Sequence, residues 1–260
     1  MQKKKGILVV SFGTSHEGTR LKTIVQIEKD IEAAFSEYQM YQAFTSKMII
    51  NIMKKRDGIH INTVTEAAQQ MLADEIEEVI VQPTHIINGM ENDEMIRSMS
   101  AFKESFKSIQ FGEPLLNTAQ DYQRVVSVLG EHFPKEKDYG VVLMGHGSFC
   151  SANACYGALD DMFKKNGYDN VHVATIEAYP HIDDVLKQIA PKKYRKILLM
   201  PFMVVAGEHA KEDMIGEKAD SWINKIKYAG YEADYILKGL GEYSKIRQIY
   251  VDHIGFAKSF

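Results

Sequence analysis

Three residues in the second half of the sequence have side chains suited to holding a divalent metal ion, and each follows a short apolar run. His146 stands between two glycines in "LMGHGS", Glu177 closes "VATIEA", and His209 follows a glycine in "VVAGEHAKEDM". Two imidazoles and a carboxylate that leave coordination positions open form a working site for a borderline divalent ion. The ligand types leave Fe, Co, Ni and Zn all open, because the affinity order of these ions is nearly the same at any such site. Neutral imidazole can also accept a proton near neutral pH, so the same residues could act as bases. Taken singly, His146 could be a loop or capping histidine and Glu177 could cap the helix after it. Three strand ends from one half carrying this set favour the metal reading. Glu212 and Asp213, three and four positions beyond His209, share its face if a helix begins there.

The elements that must position these residues alternate. Short apolar runs ("GILVV", "EEVIVQP", "YGVVLMG", "VHVATIEA", "RKILLMPFMVV") are separated by amphipathic stretches at 19–37, 64–77 and 181–190. This pattern predicts an α/β fold with parallel strands, whose ligands bind beyond the carboxyl ends of the strands. The halves also repeat. "GILVVSFGT" (6–14) aligns with "GVVLMGHGS" (140–148), and "EEVIVQPTHIINGMENDEM" (77–95) aligns with "RKILLMPFMVVAGEHAKEDM" (195–214), Pro83 and Pro201 each preceding a glycine by six residues. The repetition predicts two similar domains from one duplicated unit, 1–134 and 135–260, joined near "GEHFPKEKDYG", with a ligand cleft between them. In the alignment Phe12 takes the place of His146 and Glu91 that of His209. One copy therefore offers two histidines, and the other offers Glu91 and the loop "SFGTS". The segment 241–260 reads as an amphipathic helix without a counterpart in the first copy, expected to cross back onto the first domain.

The 260 residues are 45% apolar and 25% charged with a net charge of −4, an ordinary globular composition. No Lys/Arg block exceeds three, which argues against nucleic acid or an anionic membrane as partner and for a small molecule. The apolar run Ile7–Val10 is too short for a membrane span or signal peptide, so a cytoplasmic location is expected. Cys150 and Cys155 match neither a CxxC pair nor a zinc knuckle and are expected as thiols. "GHGSFC" lacks the third glycine of a dinucleotide loop and no P-loop motif occurs, so no organic cofactor is expected. His85 reads as cleft lining or a core histidine, and His172, alternating with valines, reads as structural. Lys54-Lys55-Arg56 reads as a solvated helix face. Cys150 reads as a small core residue, with a soft auxiliary metal ligand as the alternative.

"LMGHGS", "TIEAYP" and "VVAGEHAKEDM", with "SFGTS" and "QPTHIINGME" in the first half, resemble the sirohydrochlorin cobaltochelatases of the anaerobic cobalamin pathway. These are class II chelatases related in fold to ferrochelatase. The resemblance runs in order along essentially the whole chain. It implies two α/β domains with a tetrapyrrole cleft between them, metal held by His146, Glu177 and His209, and Glu91 as an acidic residue across the cleft. It implies insertion of Co2+ into sirohydrochlorin or precorrin-2 with loss of two pyrrole protons, His146, His209 and Glu91 being the candidate bases. Ser11, Thr14, Ser15 and Ser148 are candidate donors to the substrate's carboxylates, or else helix caps. Two departures stand out: Phe149-Cys150 replaces a further histidine common in relatives, and Glu208 replaces an aspartate. Insertion of Fe2+ for sirohaem, a nickel- or cobalt-storage protein and a metallohydrolase are the alternatives, and a homo-oligomer is compatible with all of them.

Overall fold

The structure is a computed structural model and describes residues 4–259. The chain forms two compact units, Met1–Asn117 together with Ser244–Phe260, and Thr118–Tyr243.

In the first unit the order is β1 (Lys5–Ser11), α1 (Glu17–Lys22), α2 (Ile24–Ala34), β2 (Gln39–Phe44), α3 (Lys47–Asp57), α4 (Val64–Ala73), β3 (Glu78–Pro83), α5 (Met90–Ser100) and β4 (Ser108–Phe111). The strands form a parallel sheet ordered β2-β1-β3-β4. Ile7 to Val10 are completely buried. This is why β1 reads as a continuous apolar run rather than an alternating one: helices cover both faces of a parallel sheet. Helix starts follow local chemistry. The Ser46 hydroxyl accepts from Ile49 N–H at the start of α3, and Thr63 and Glu66 form a reciprocal cap on α4. Leu8, Val10, Met71, Val81, Met95 and Met99 belong to the core on one side of this sheet.

The second unit runs α6 (Ala119–Gly130), β5 (Tyr139–Gly145), α7 (Ala154–Lys165), β6 (Val171–Thr175), α8 (Ile182–Ile189), β7 (Lys196–Pro201), α9 (Trp222–Tyr228) and β8 (Glu232–Tyr235). Its parallel sheet has the order β6-β5-β7-β8, the same topology as the first. Even the register repeats. Val10 lies opposite Pro83 where β1 meets β3, and Met144 lies opposite Pro201 where β5 meets β7. The residue after each proline then donates its N–H across the sheet, Thr84 to Val10 at 2.8 Å and Phe202 to Met144 at 2.7 Å.

The boundary differs from the expected 134/135 and falls between Asn117 and Thr118. The stretch "GEHFPKEKDYG" has linker composition, yet Phe133 is buried and packs against Phe163 with ring centroids 5.5 Å apart, and Gln123 of α6 donates to Asn166 at 2.6 Å. These contacts tie α6 and its trailing turn to α7. The last helix, α10 (Ser244–Gly255), belongs to the first unit. Arg247 Nε bonds Asp30 at 2.6 Å, the buried Tyr250 hydroxyl donates to the Thr84 carbonyl at 2.9 Å, and Lys258 pairs with Phe111 beside β4. Among the described residues no helix is long and apolar enough to cross a membrane.

Candidate metal centre

The glycines on either side of His146 have different causes. A Cβ on Gly145 would lie 2.4 Å from the ring of Tyr156, which is buried beneath the end of β5. Gly147 has a φ of 90°, and a Cβ there would meet Thr175 Oγ1 at 2.8 Å and the Ala178 backbone N at 3.0 Å. Held between these two close approaches, His146 is exposed at the carboxyl end of the central strand. Its carbonyl accepts from Glu177 N–H at 2.9 Å, which fixes the Glu177 backbone beside it. Asn153 fastens the two loops further: its Oδ1 accepts from Ser148 N–H at 3.0 Å and its Nδ2 donates to the Tyr179 carbonyl at 2.7 Å. Sequence reasoning missed Asn153, whose type and position carry no signal until the loops are adjacent.

His209 opens a single turn of π-helix, Ala210–Met214, beyond β7. Ala210 and Met214 are fully buried and hold the turn against the core, while His209 and Asp213 remain partly exposed. Since β7 pairs with β5, the two imidazoles meet, with ring centroids 5.0 Å apart and planes at 81°. His209 Nδ1 lies 2.6 Å from Asp213 Oδ2, and His146 Nδ1 lies 3.3 Å from the Gly147 carbonyl. Glu177 is exposed, and among the described residues no three His, Cys, Asp or Glu side chains are gathered closely enough to hold a metal ion. The structure thus brings two of the three expected ligands together ring to ring. The third adjoins them through its backbone.

The other expected residues are dispersed. Glu91 is exposed in the first turn of α5, in the first unit. Ser11 and Thr14 are buried and their hydroxyls serve the fold: Ser11 accepts from the Thr84 hydroxyl at 2.8 Å, and Thr14 accepts from His16 N–H at 3.2 Å. Ser15 is half-buried, its carbonyl held by the Arg56 guanidinium. Ser148 is half-buried with its hydroxyl 3.1 Å from the Cys150 thiol. Lys54 and Lys55 are exposed on α3. His85 has Asn92 Oδ1 at 3.4 Å from Nδ1, and burial lowers its pKa. His172 is completely buried with neither ring nitrogen partnered among the described residues; burial, aided by Lys164 and Lys192, pushes its pKa down to about 3. His172 is therefore a neutral core imidazole at ordinary pH, while His85 is half-buried.

A family model described as "Cobalt chelatase (CbiK)" matches residues 5–258. The chain belongs to the cobalt chelatase family. Among curated relatives of this cobalt chelatase, "Sirohydrochlorin cobaltochelatase" of Salmonella typhimurium is 37% identical over 252 residues, covering 96% of this chain and 95% of its own. "Sirohydrochlorin cobaltochelatase CbiKC" of Nitratidesulfovibrio vulgaris is 30% identical, covering 98% of this chain and 91% of its own. Among solved structures, "SirB from Bacillus subtilis with Fe3+" superposes with a TM-score of 0.64 at 13% identity, covering 97% of this chain and 94% of its own, which shows that the chelatase has the same fold.

Proposed function

We propose that this cobalt chelatase inserts a cobaltous ion into sirohydrochlorin and releases two protons, a step of anaerobic cobalamin synthesis in the cytoplasm. One observation carries the reading. Two imidazoles, one at the end of β5 and one in the turn that follows its partner strand β7, have ring centroids 5.0 Å apart, in a chain that aligns nearly end to end with sirohydrochlorin cobaltochelatases. Metal insertion requires a site that holds a partly desolvated ion and then gives it up to the pyrrole nitrogens while bases take the pyrrole protons. His146 and His209 each offer a ring nitrogen to the ion. The exposed Glu177 carboxylate, its backbone already bonded to His146, swings in as the third ligand. An imidazole that releases the metal regains its lone pair and takes one pyrrole proton. Glu91 accepts the other, a role that Glu91→Gln tests directly. Of the hydroxyls, Ser15 and Ser148 are open enough to solvent to meet substrate carboxylates.

Imidazole and carboxylate donors also suit ferrous and nickel ions, so the cobalt preference needs its own measurement. In an anaerobic absorbance assay with sirohydrochlorin, the protein should accelerate the cobalt-dependent spectral change more than the ferrous one. A ferrous rate equal to or above the cobalt rate would reassign the metal. Neither rate exceeding background would overturn the chelatase reading.

A further inference from the structure

Both histidines of the pair have an oxygen beside Nδ1, but the two oxygens differ. At His146 it is the neutral carbonyl of Gly147 at 3.3 Å, beyond the usual range of a good N–H···O bond. At His209 it is a carboxylate oxygen of Asp213 at 2.6 Å. A carboxylate at that distance accepts the Nδ1 proton, which leaves the lone pair on Nε2. It also fixes the plane of the ring.

The backbone makes this contact a fixed one. Ala210 and Met214 are completely buried, so the residues just before each of them, His209 and Asp213, are set on the outward side of the turn. Their i, i+4 spacing puts the two side chains on one face of the turn, whose π-helical winding is a feature frequent at functional sites. The turn is closed by Gly216, whose N–H donates to the Glu212 carbonyl at 3.1 Å; a Cβ at Gly216 would lie 2.2 Å from that oxygen.

We propose that Asp213 is a positioning residue: its carboxylate holds His209 in the Nδ1–H form and presents Nε2 to the cobalt substrate. His209 is then the fixed donor of the pair and His146 the more loosely held one. The inference rests on the reading of His209 as a metal ligand. Metal-bound histidines generally donate their second nitrogen to a carboxylate or carbonyl, and loss of such a partner costs about 10- to 100-fold in affinity or activity.

The test uses the full chain and cobaltous ion alone. Asp213→Asn keeps the shape of the side chain and removes its charge. Cobalt affinity should fall about 10- to 100-fold with a changed ligand-field absorption spectrum, at an unchanged melting temperature. Asp213→Glu should recover part of the affinity. In the insertion assay the KM for cobalt should rise while that for sirohydrochlorin stays constant. Cobalt binding by Asp213→Asn within twofold of wild type, with the same spectrum, would overturn the proposal. If instead the wild type inserts no cobalt but Asp213→Asn still binds cobalt more weakly, the chelatase reading falls and the role of Asp213 stands.

Discussion

The ends of the first and second sheets are built alike and carry different chemistry. After β1 the chain passes through Ser11, Phe12 and Gly13, with φ of 101° at the glycine; after β5 it passes through Gly145, His146 and Gly147, with φ of 90°. The Phe12 carbonyl accepts from Ser46 N–H at 3.2 Å, just as the His146 carbonyl accepts from Glu177 N–H at 2.9 Å. Phe12, Ser46 and Glu91 therefore occupy the backbone positions of His146, Glu177 and His209. In the first unit Ser46 is buried as a helix cap, whereas Glu177 in the second is exposed. Glu91 stands in a regular helix of 11 residues; its counterpart His209 opens one π-turn of 5. The consequence is visible four residues on. Met95 lies in the core of the first unit, while its counterpart Asp213 is 46% exposed and bonded to His209. Glycines and inter-strand hydrogen bonds fix where a side chain emerges. They leave its identity free, so one copy of the fold carries the imidazole pair proposed to hold metal while the other carries Phe12 and Glu91 at the same positions.

The largest expected effect concerns that division. His146→Phe gives the second unit the residue of the first, and cobalt affinity should drop by at least about 100-fold, more than the loss of an outer partner alone. Phe12→His should add no second cobalt equivalent, because Ser46 and Glu91 do not complete a site. Calorimetric titration with cobaltous ion reads both, and a second equivalent in Phe12→His would break the comparison. Next in size is the shared turn. Gly13→Ala and Gly147→Ala should each cost about 1–3 kcal/mol in urea unfolding, since both place a Cβ at positive φ. Phe44 crowds the first, and Thr175 with Ala178 crowds the second. A loss confined to one of them would show that the loops are not equivalent.

A smaller contrast lies at one register position, where Tyr41 faces Leu8 and His172 faces Val142. The Tyr41 hydroxyl reaches Asp74 at 2.8 Å, while His172 is buried without a partner among the described residues. The folded pKa of His172, about 3, lies below its ordinary 6.5. Between these values the unfolded chain binds the extra proton, so stability is full above pH 6.5 and is lost as pH falls toward 3. This group alone contributes about 1.4 kcal/mol per pH unit in that window. His172→Leu should flatten the acid limb of a stability-versus-pH curve by that amount, and an unchanged limb would place the acid sensitivity elsewhere.

Much of this arrangement was legible in the sequence. Fully buried parallel strands read as continuous apolar runs, and the aligned Gly and Pro residues mark real turns, so the duplicated sheets and the positions of His146, Glu177 and His209 follow from pattern alone. The unit boundary did not, because Pro, Gly and charge between 130 and 140 imitate a linker while Phe133 packs inward. Ser11 and Thr14 read either as donors to substrate carboxylates or as helix caps; in the structure their hydroxyls accept from the Thr84 hydroxyl and from His16 N–H. The π-turn has no sequence signature. The shared face of His209 and Asp213 was legible; its tight hydrogen bond was not.

The most direct test of the central claim, that the imidazole pair of the second unit performs metal insertion, is the anaerobic turnover of sirohydrochlorin with cobalt by wild type, His146→Ala and His209→Ala. Each variant should lose at least about 100-fold in rate while its circular dichroism spectrum stays that of the wild type. Turnover near the wild-type rate in both variants would contradict the account.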